Sequence, residues 1–257
     1  VDLNISVVEQ STGSVQFGAG LSSNEGVVFG VTVNQNNFLG TGNRVSAQLN
    51  TGKVNTTYAL SYTDPYFTPD GVSRGFDVYR RDVNTGSTDN VGTYKTSSYG
   101  GGVRFGIPLN ERDGVSFGLS ADLTDINLYA ESPIQYQNYC GNTTGCTSNS
   151  IALSAGWSHD SRDSIMYTNN GVYQRLSGEV TMPVLDLQYY KINYKHSWYK
   201  EIAKDLTLML NGELGYAKSY GDAKYPFFKN FYMGGVNSVR GYAIGTLGPK
   251  DETNTYY

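Results

Sequence analysis

The chain has 257 residues, with 31 Gly and 22 Tyr but only 7 Pro, and 39% of it is hydrophobic. That suits one large β domain or two smaller ones. No run approaches the roughly 18 consecutive apolar residues that a transmembrane helix needs, and a formal net charge of −4 argues against a nucleic-acid partner.

Residues 1–9, Val1-Asp2-Leu3-Asn4-Ile5-Ser6-Val7-Val8-Glu9, alternate but are too short to stand alone. They read as the last strand of an upstream domain. No secretory leader opens the chain, as expected of a mature or excised segment. From Ser11 onward one residue in two is apolar, the period of a half-buried strand. Val15, Phe17, Ala19 and Leu21 alternate with Gln16, Gly18 and Gly20, and after a turn at 22–26 Val27, Phe29, Val31 and Val33 return.

The same pattern then recurs. Strands are expected around Val45–Leu49, Tyr58–Tyr62, 72–83, Val103–Ile107, Val115–Leu123, Ile151–Trp157, Val172–Met182, Tyr190–Trp198 and Leu206–Tyr216. That makes eleven strands, each long enough to cross a bilayer when tilted. Their second face carries Gly, Ser, Thr, Asn, Gln and scattered charges. Aromatic residues gather toward strand ends, at Tyr62, Tyr66-Phe67, Tyr189-Tyr190 and Trp198-Tyr199, where a membrane barrel needs its interfacial girdles. The rival is a large soluble barrel or sandwich, whose strands usually run shorter, about 5–6 residues.

The connections alternate in length. One side holds the turns at 37–43, 63–73, 108–114, 159–171 and 201–205. The other holds 22–26, 50–55, 83–95, 129–149, 183–188 and the stretch from 217 onward. The longest connections share a side, as in outer-membrane barrels, although 159–171 is long for a short-turn side. An odd number of strands does not close by the even-number habit of bacterial barrels, so further strands are expected beyond Tyr257.

Cys140 and Cys146 are the only cysteines. They bracket a small Gly/Asn/Thr loop, which favours a disulfide in an oxidising compartment over a metal site. A metal site needs two more ligands, and His159 and His196 stand apart. His159-Asp160-Ser161 is a contiguous polar turn, whereas catalytic triads assemble from separate elements. Gly100-Gly101-Gly102 precedes no helix, so it is no phosphate loop. No enzyme and no cofactor is expected.

The most distinctive stretch lies late: Gly234-Gly235-Val236-Asn237-Ser238-Val239-Arg240-Gly241-Tyr242, continuing to Gly248-Pro249-Lys250. From the residues alone, Arg240 is either a solvated loop arginine or a bidentate anchor that pins an inward-folded loop. Gly234, Gly235 and Gly241 would permit tight turns around it, with Tyr242 packing alongside.

This stretch resembles the signature loop of the BamA insertases, the central subunits of the outer-membrane β-barrel assembly machinery of Gram-negative bacteria. Thr12-Gly13-Ser14 with Phe17-Gly18-Ala19-Gly20 resembles the family's first barrel strand. The turns 37–42 and 63–73 resemble its first two periplasmic turns, and 160–163 through Asn170-Gly171 resembles a later one. The match runs in order over essentially the whole chain; the Cys140/Cys146 loop is not part of it.

The resemblance implies an all-β transmembrane antiparallel barrel of roughly sixteen strands, about eleven of them here. Residues 1–9 would end the last polypeptide-transport-associated (POTRA) domain, and 10–257 would form the first part of the barrel. The resemblance turns the loop carrying Val239, Arg240, Gly241 and Tyr242 into the lumen, against carboxylates on later strands. It makes the first strand, with Ser14, Gln16, Phe17, Gly18 and Gly20, one side of a weak lateral seam on which a client strand pairs by β-augmentation.

The implied partners are unfolded outer-membrane protein clients, accessory assembly lipoproteins, periplasmic chaperones, and outer-membrane lipids with lipopolysaccharide. The implied location is the Gram-negative outer membrane. Related two-partner secretion and autotransporter-assembly barrels share Val-Arg-Gly-Tyr, and a passive porin is a more distant alternative.

Overall fold

The computed structural model describes residues 10–22, 25–87, 92–235, 238–243 and 245–250. The expected end of an upstream domain at 1–9, and residues 251–257, lie outside the described residues. The chain forms one twelve-stranded antiparallel sheet. Its strands are β1 (Gly13–Ser22), β2 (Gly26–Gln35), β3 (Arg44–Thr51), β4 (Asn55–Asp64), β5 (Ser73–Asn84), β6 (Tyr94–Pro108), β7 (Asp113–Leu128), β8 (Gly145–Thr147), β9 (Ser150–Asp160), β10 (Gly171–Thr181), β11 (Tyr189–Ala203) and β12 (Leu206–Ser219). Eleven follow one another in chain order as neighbours, and the three-residue β8 pairs only with β7. The eleven long strands are those the alternation predicts. The additions, β8 and a six-residue helix α1 (Ile134–Tyr139), lie within the long connection after β7.

Register keeps the apolar sets in line across the sheet. Phe17 sits opposite Val31, Val31 opposite Leu49, and Leu49 opposite Tyr58. Further on, Val103 faces Leu119, Leu119 faces Leu153, and Leu153 faces Val180. A one-residue slip between any two strands would move a whole set to the other face. These side chains stay on the surface, with Phe17 at 80% and Leu21 at 87% exposure. An apolar face this continuous is a liability in water. In hydrocarbon it is the surface a barrel presents, and the backbone groups beneath it are satisfied by the ladders.

The buried hydrophobic cluster sits instead at the end of the strands, where Tyr94, Ile126, Tyr136, Cys140 and Phe227 pack together. The sheet is not closed: β1 pairs with β2 alone, and β12 with β11 alone, among the described residues.

One aromatic expectation is corrected. Tyr190 lies on the apolar face, but Tyr189 is completely buried, its ring edge-on to Tyr225 at 5.6 Å and its hydroxyl donating to the Glu179 carboxylate. Adjacent strand residues point to opposite faces, so only one of the two tyrosines can join a girdle.

Candidate functional site

The inner face of the sheet is a cross-strand polar network. The Tyr79 hydroxyl donates to Asp122, and the Arg104 guanidinium meets Asp77 at 2.8 Å. Asn193 Nδ2 donates to Glu213 at 2.7 Å, and Ser197 to Asn211 at 2.8 Å. A trough of about 920 Å³ runs beside them, lined by Ser116, Ser154, Ser177, Glu179, Lys191 and Asn193 among others. Small residues alternating with charged ones leave that space open and wet.

After β12 the chain folds back against this face. The Tyr220 hydroxyl donates to the Thr181 carbonyl on β10. Lys191 Nζ on β11 donates to the Lys229 carbonyl at 2.8 Å and lies 4.1 Å from the centre of the Phe231 ring, a charge-on-aromatic contact. Phe231 in turn occupies the space above Gly215, where a β-carbon would come within 2.7 Å of the ring. Burial, with the Glu179 charge behind it, pushes the Tyr225 hydroxyl up to about 12, so it stays a neutral donor; it donates to the Lys229 carbonyl at 3.0 Å.

The glycine-rich stretch follows directly. The Gly235 N–H donates to the Tyr242 carbonyl at 2.7 Å, Ser238 N–H to the Gly235 carbonyl at 3.2 Å, and Tyr242 N–H to the Val239 carbonyl at 3.4 Å. Gly235 at φ 81° and Gly241 at φ 92° adopt the left-handed backbone that side chains disfavour. Gly234 is buried and Val239 half-buried, while Arg240 is exposed and Tyr242 is 54% exposed. Arg240 thus rides at the tip of a closed backbone loop. Val236 and Asn237 lie outside the described residues.

The first strand is fully paired on one side. Its ten residues match β2 from Gly13 opposite Gln35 to Ser22 opposite Gly26. Ser14, Gln16, Gly18 and Gly20 share its inner face, and Phe17 lies on the apolar one. A β-carbon on Gly18 or Gly20 would meet nothing within 4 Å. Glycine there relieves no crowding; it lowers the strand propensity of the edge.

Two connections are built rigidly. Cys140 and Cys146 form a disulfide, which ties the end of α1 to β8. Tyr136 on α1 stacks on Phe227 with centroids 3.9 Å apart, so this connection and the post-β12 segment form a single aromatic cap. On the opposite side, Arg162 pairs with Asp160 at 2.7 Å. The Asp163 carboxylate accepts N–H bonds from Ser164, Asn169 and Asn170. Burial raises the Asp163 carboxyl, and those N–H donors together outweigh it, leaving it below the usual carboxylate value.

His159, Asp160 and Ser161 take separate structural partners: Asp113, Arg162 and the Val172 backbone. No cluster of three or more potential metal ligands occurs among the described residues. The sequence reading missed Lys191, Gly215, Phe227 and Phe231. Each is an ordinary strand or loop residue locally, and only the fold-back brings them together.

The comparisons with known proteins agree with this geometry. The chain is 40% identical to the outer membrane protein assembly factor BamA of Neisseria meningitidis serogroup B, over 97% of the chain and 32% of that protein. It is 26% identical to that of Nitratidesulfovibrio vulgaris, over 98% of the chain and 31% of that protein. It thus spans about a third of the length of these curated relatives. The crystal structure of BamA from Haemophilus ducreyi lacking POTRA domains 1–3 superposes with a TM-score of 0.89 at 28% identity, over 95% of this chain and 48% of that one. Residues 37–257 match the Omp85 superfamily domain, and the chain, an outer-membrane β-barrel region, belongs to the Omp85 superfamily.

Proposed function

We propose that the protein carrying this chain folds and inserts β-barrel proteins into the Gram-negative outer membrane, and that β1 is the strand on which a client first pairs. The observation that carries this reading is the β1 edge. It is held along its whole length by β2 and softened by Gly18 and Gly20. A strand weakened by glycine parts from a neighbour more readily, and a parted edge is a template for an incoming strand. The name shared by the relatives above supports the same reading.

The process uses no nucleotide and no covalent step, so the protein is not an enzyme. Its driving force is the client's own gain on pairing its backbone groups in lipid. The loop bearing Val239, Arg240, Gly241 and Tyr242 is a structural brace inside the lumen, seated through Phe231 and Lys229. The clients are unfolded outer-membrane proteins delivered by periplasmic chaperones, and accessory lipoproteins and lipopolysaccharide are the neighbours at work. Depletion in cells tests this. Many unrelated barrel proteins are expected to leave the outer membrane together; loss of a single substrate would instead make the protein a dedicated transporter.

A further inference from the structure

The first hairpin overhangs the sheet at the end that lies on the side of the long connections. The ladder between β2 and β3 stops at Phe29 opposite Thr51, so Gly26, Val27 and Val28 pair only with β1, at Ser22, Leu21 and Gly20. A two-stranded ribbon is marginal on its own. Glu25, in the turn of this hairpin, fastens it to the turn between β3 and β4. One carboxylate oxygen accepts the Val54 N–H at 2.9 Å and the Asn55 N–H at 3.0 Å. The other accepts from the Asn55 side-chain amide, and the Glu25 carbonyl accepts the Lys53 N–H at 2.9 Å. Hydrogen bonds to an ionised carboxylate are about twice as strong as neutral ones.

The receiving turn is itself held on both sides. Its Gly52 N–H donates to the Asn55 carbonyl at 2.9 Å, and the Asn84 N–H, at the end of β5, donates to the Val54 carbonyl at 2.8 Å. Gly52 leaves room for the carboxylate, since a β-carbon there would collide with it. The opposite end of β1 has a fastening of its own. Gln35 Nε2 donates to the Thr12 hydroxyl at 3.0 Å, and the Asn36 N–H donates to the Thr12 carbonyl at 3.1 Å. Between the two fastenings Gly18 lies opposite Gly30, a pair with no side chains to stiffen the ribbon.

We propose that Glu25 is a positioning residue for client pairing: it clasps the overhanging end of β1 where an incoming strand must find it. The proposal rests on the reading that clients pair on β1. Glu25 itself touches no client. It acts through the hairpin tip, which it ties to a turn that the sheet holds still. The fastening at Thr12 sets one end of the edge and the clasp sets the other, while Gly18 and Gly30 let the strand bend between them. With the clasp gone, the tip swings and the Thr12 end stays in place. A client strand then starts in register and loses it over the outer half of β1, because backbone pairing fixes register only along an edge that keeps its shape.

The test uses the full-length protein as Glu25→Ala, as Gly52→Ala, which displaces the carboxylate without altering it, and as the double variant. Gel mobility before and after heating verifies that each is folded. In hydrogen-exchange mass spectrometry without client, either single variant is expected to exchange about tenfold faster at the overhanging ends of β1 and β2, with the Thr12 end of β1 unchanged. The double variant should be no faster than either single one, because both break the same contact. Glu25→Gln, which keeps an acceptor oxygen, should fall between. With a stalled client, cross-linking from a cysteine at Gly20 is expected to spread over several client positions in Glu25→Ala, while that from Ser14 stays at one. Unchanged exchange in both single variants would overturn the clasp. Faster exchange with an unaltered cross-link pattern at Gly20 would overturn its positioning role. Normal insertion with no cross-link anywhere along β1 of the unaltered protein would instead overturn the pairing reading, and the positioning role with it.

Discussion

Phe231 lies against Gly215, and the gap between them is too small for even a methyl group: a β-carbon at 215 would sit 2.7 Å from two ring atoms. This contact seats the post-β12 segment on the wall that leads to Arg240. Gly215→Val is therefore expected to displace Phe231 and lower client insertion severalfold, with the barrel still folded. Gly212→Val on the same strand faces lipid, where a β-carbon meets nothing within 4 Å, and is expected to insert clients normally. Insertion of a reporter barrel into liposomes containing each full-length variant separates the two.

Phe227 is 6% exposed and stacks on Tyr136 while meeting Tyr94 edge-on at 5.1 Å. Truncating a buried Phe to Ala costs about 3–5 kcal/mol. Phe227→Ala is expected to release the cap without unfolding the sheet, because the cluster lies at the strand ends. Limited proteolysis should show new cleavage between 220 and 235 and around α1, with the strands protected.

The disulfide acts within the same cap. Closing so short a loop is worth about 2 kcal/mol on the chain-entropy account. The Cys140→Ser/Cys146→Ser double variant is expected to raise hydrogen exchange in α1 and β8 and leave β9 to β12 unchanged, as measured by exchange mass spectrometry.

The Asp163 turn is expected to be acid-labile. Its carboxyl is held below the usual value of about 3.9, so its stabilisation is complete above that value and lost as pH falls through the lowered one. Exchange of the Asn169 and Asn170 amides, corrected for intrinsic rates, should therefore rise at strongly acid pH. In Asp163→Asn it should be raised throughout and lack that step. Gly171→Ala should damage the same turn: with φ at 122°, a β-carbon would lie 2.4 Å from the Ser161 carbonyl oxygen.

The sheet was legible because its period is 2 and its two solvents differ. Val15, Phe17 and Leu21 could be assigned a face from alternation alone; their positions opposite Val33, Val31 and Val27 are seen only in the fold. The cap was not legible. Helix α1 has only six residues and no side-chain cap at Pro133, and β8 has three, too short for any period to register. Tyr189 was assigned to the membrane boundary because clustering of aromatics ignores parity.

The inner seat of the loop was hidden for a different reason. Lys191 and Lys229 are 38 residues apart and meet side chain to backbone, a pairing that leaves no trace in residue type. Gly235 and Gly241, on either side of Arg240, take positive φ values, a backbone that glycine permits.

Pairing of a client strand along β1 is the step on which the proposed function turns. Its most direct test is cysteine cross-linking in the full-length protein, with single cysteines at Ser14, Gln16, Gly18 and Gly20, a matched control at Ser177 on the interior strand β10, and a client stalled during insertion. Disulfide-linked client is expected at successive β1 positions, shifting in step with the position of the client's cysteine, with none at Ser177. Normal insertion with no cross-link at any β1 position, or equal cross-linking at Ser177, would contradict it.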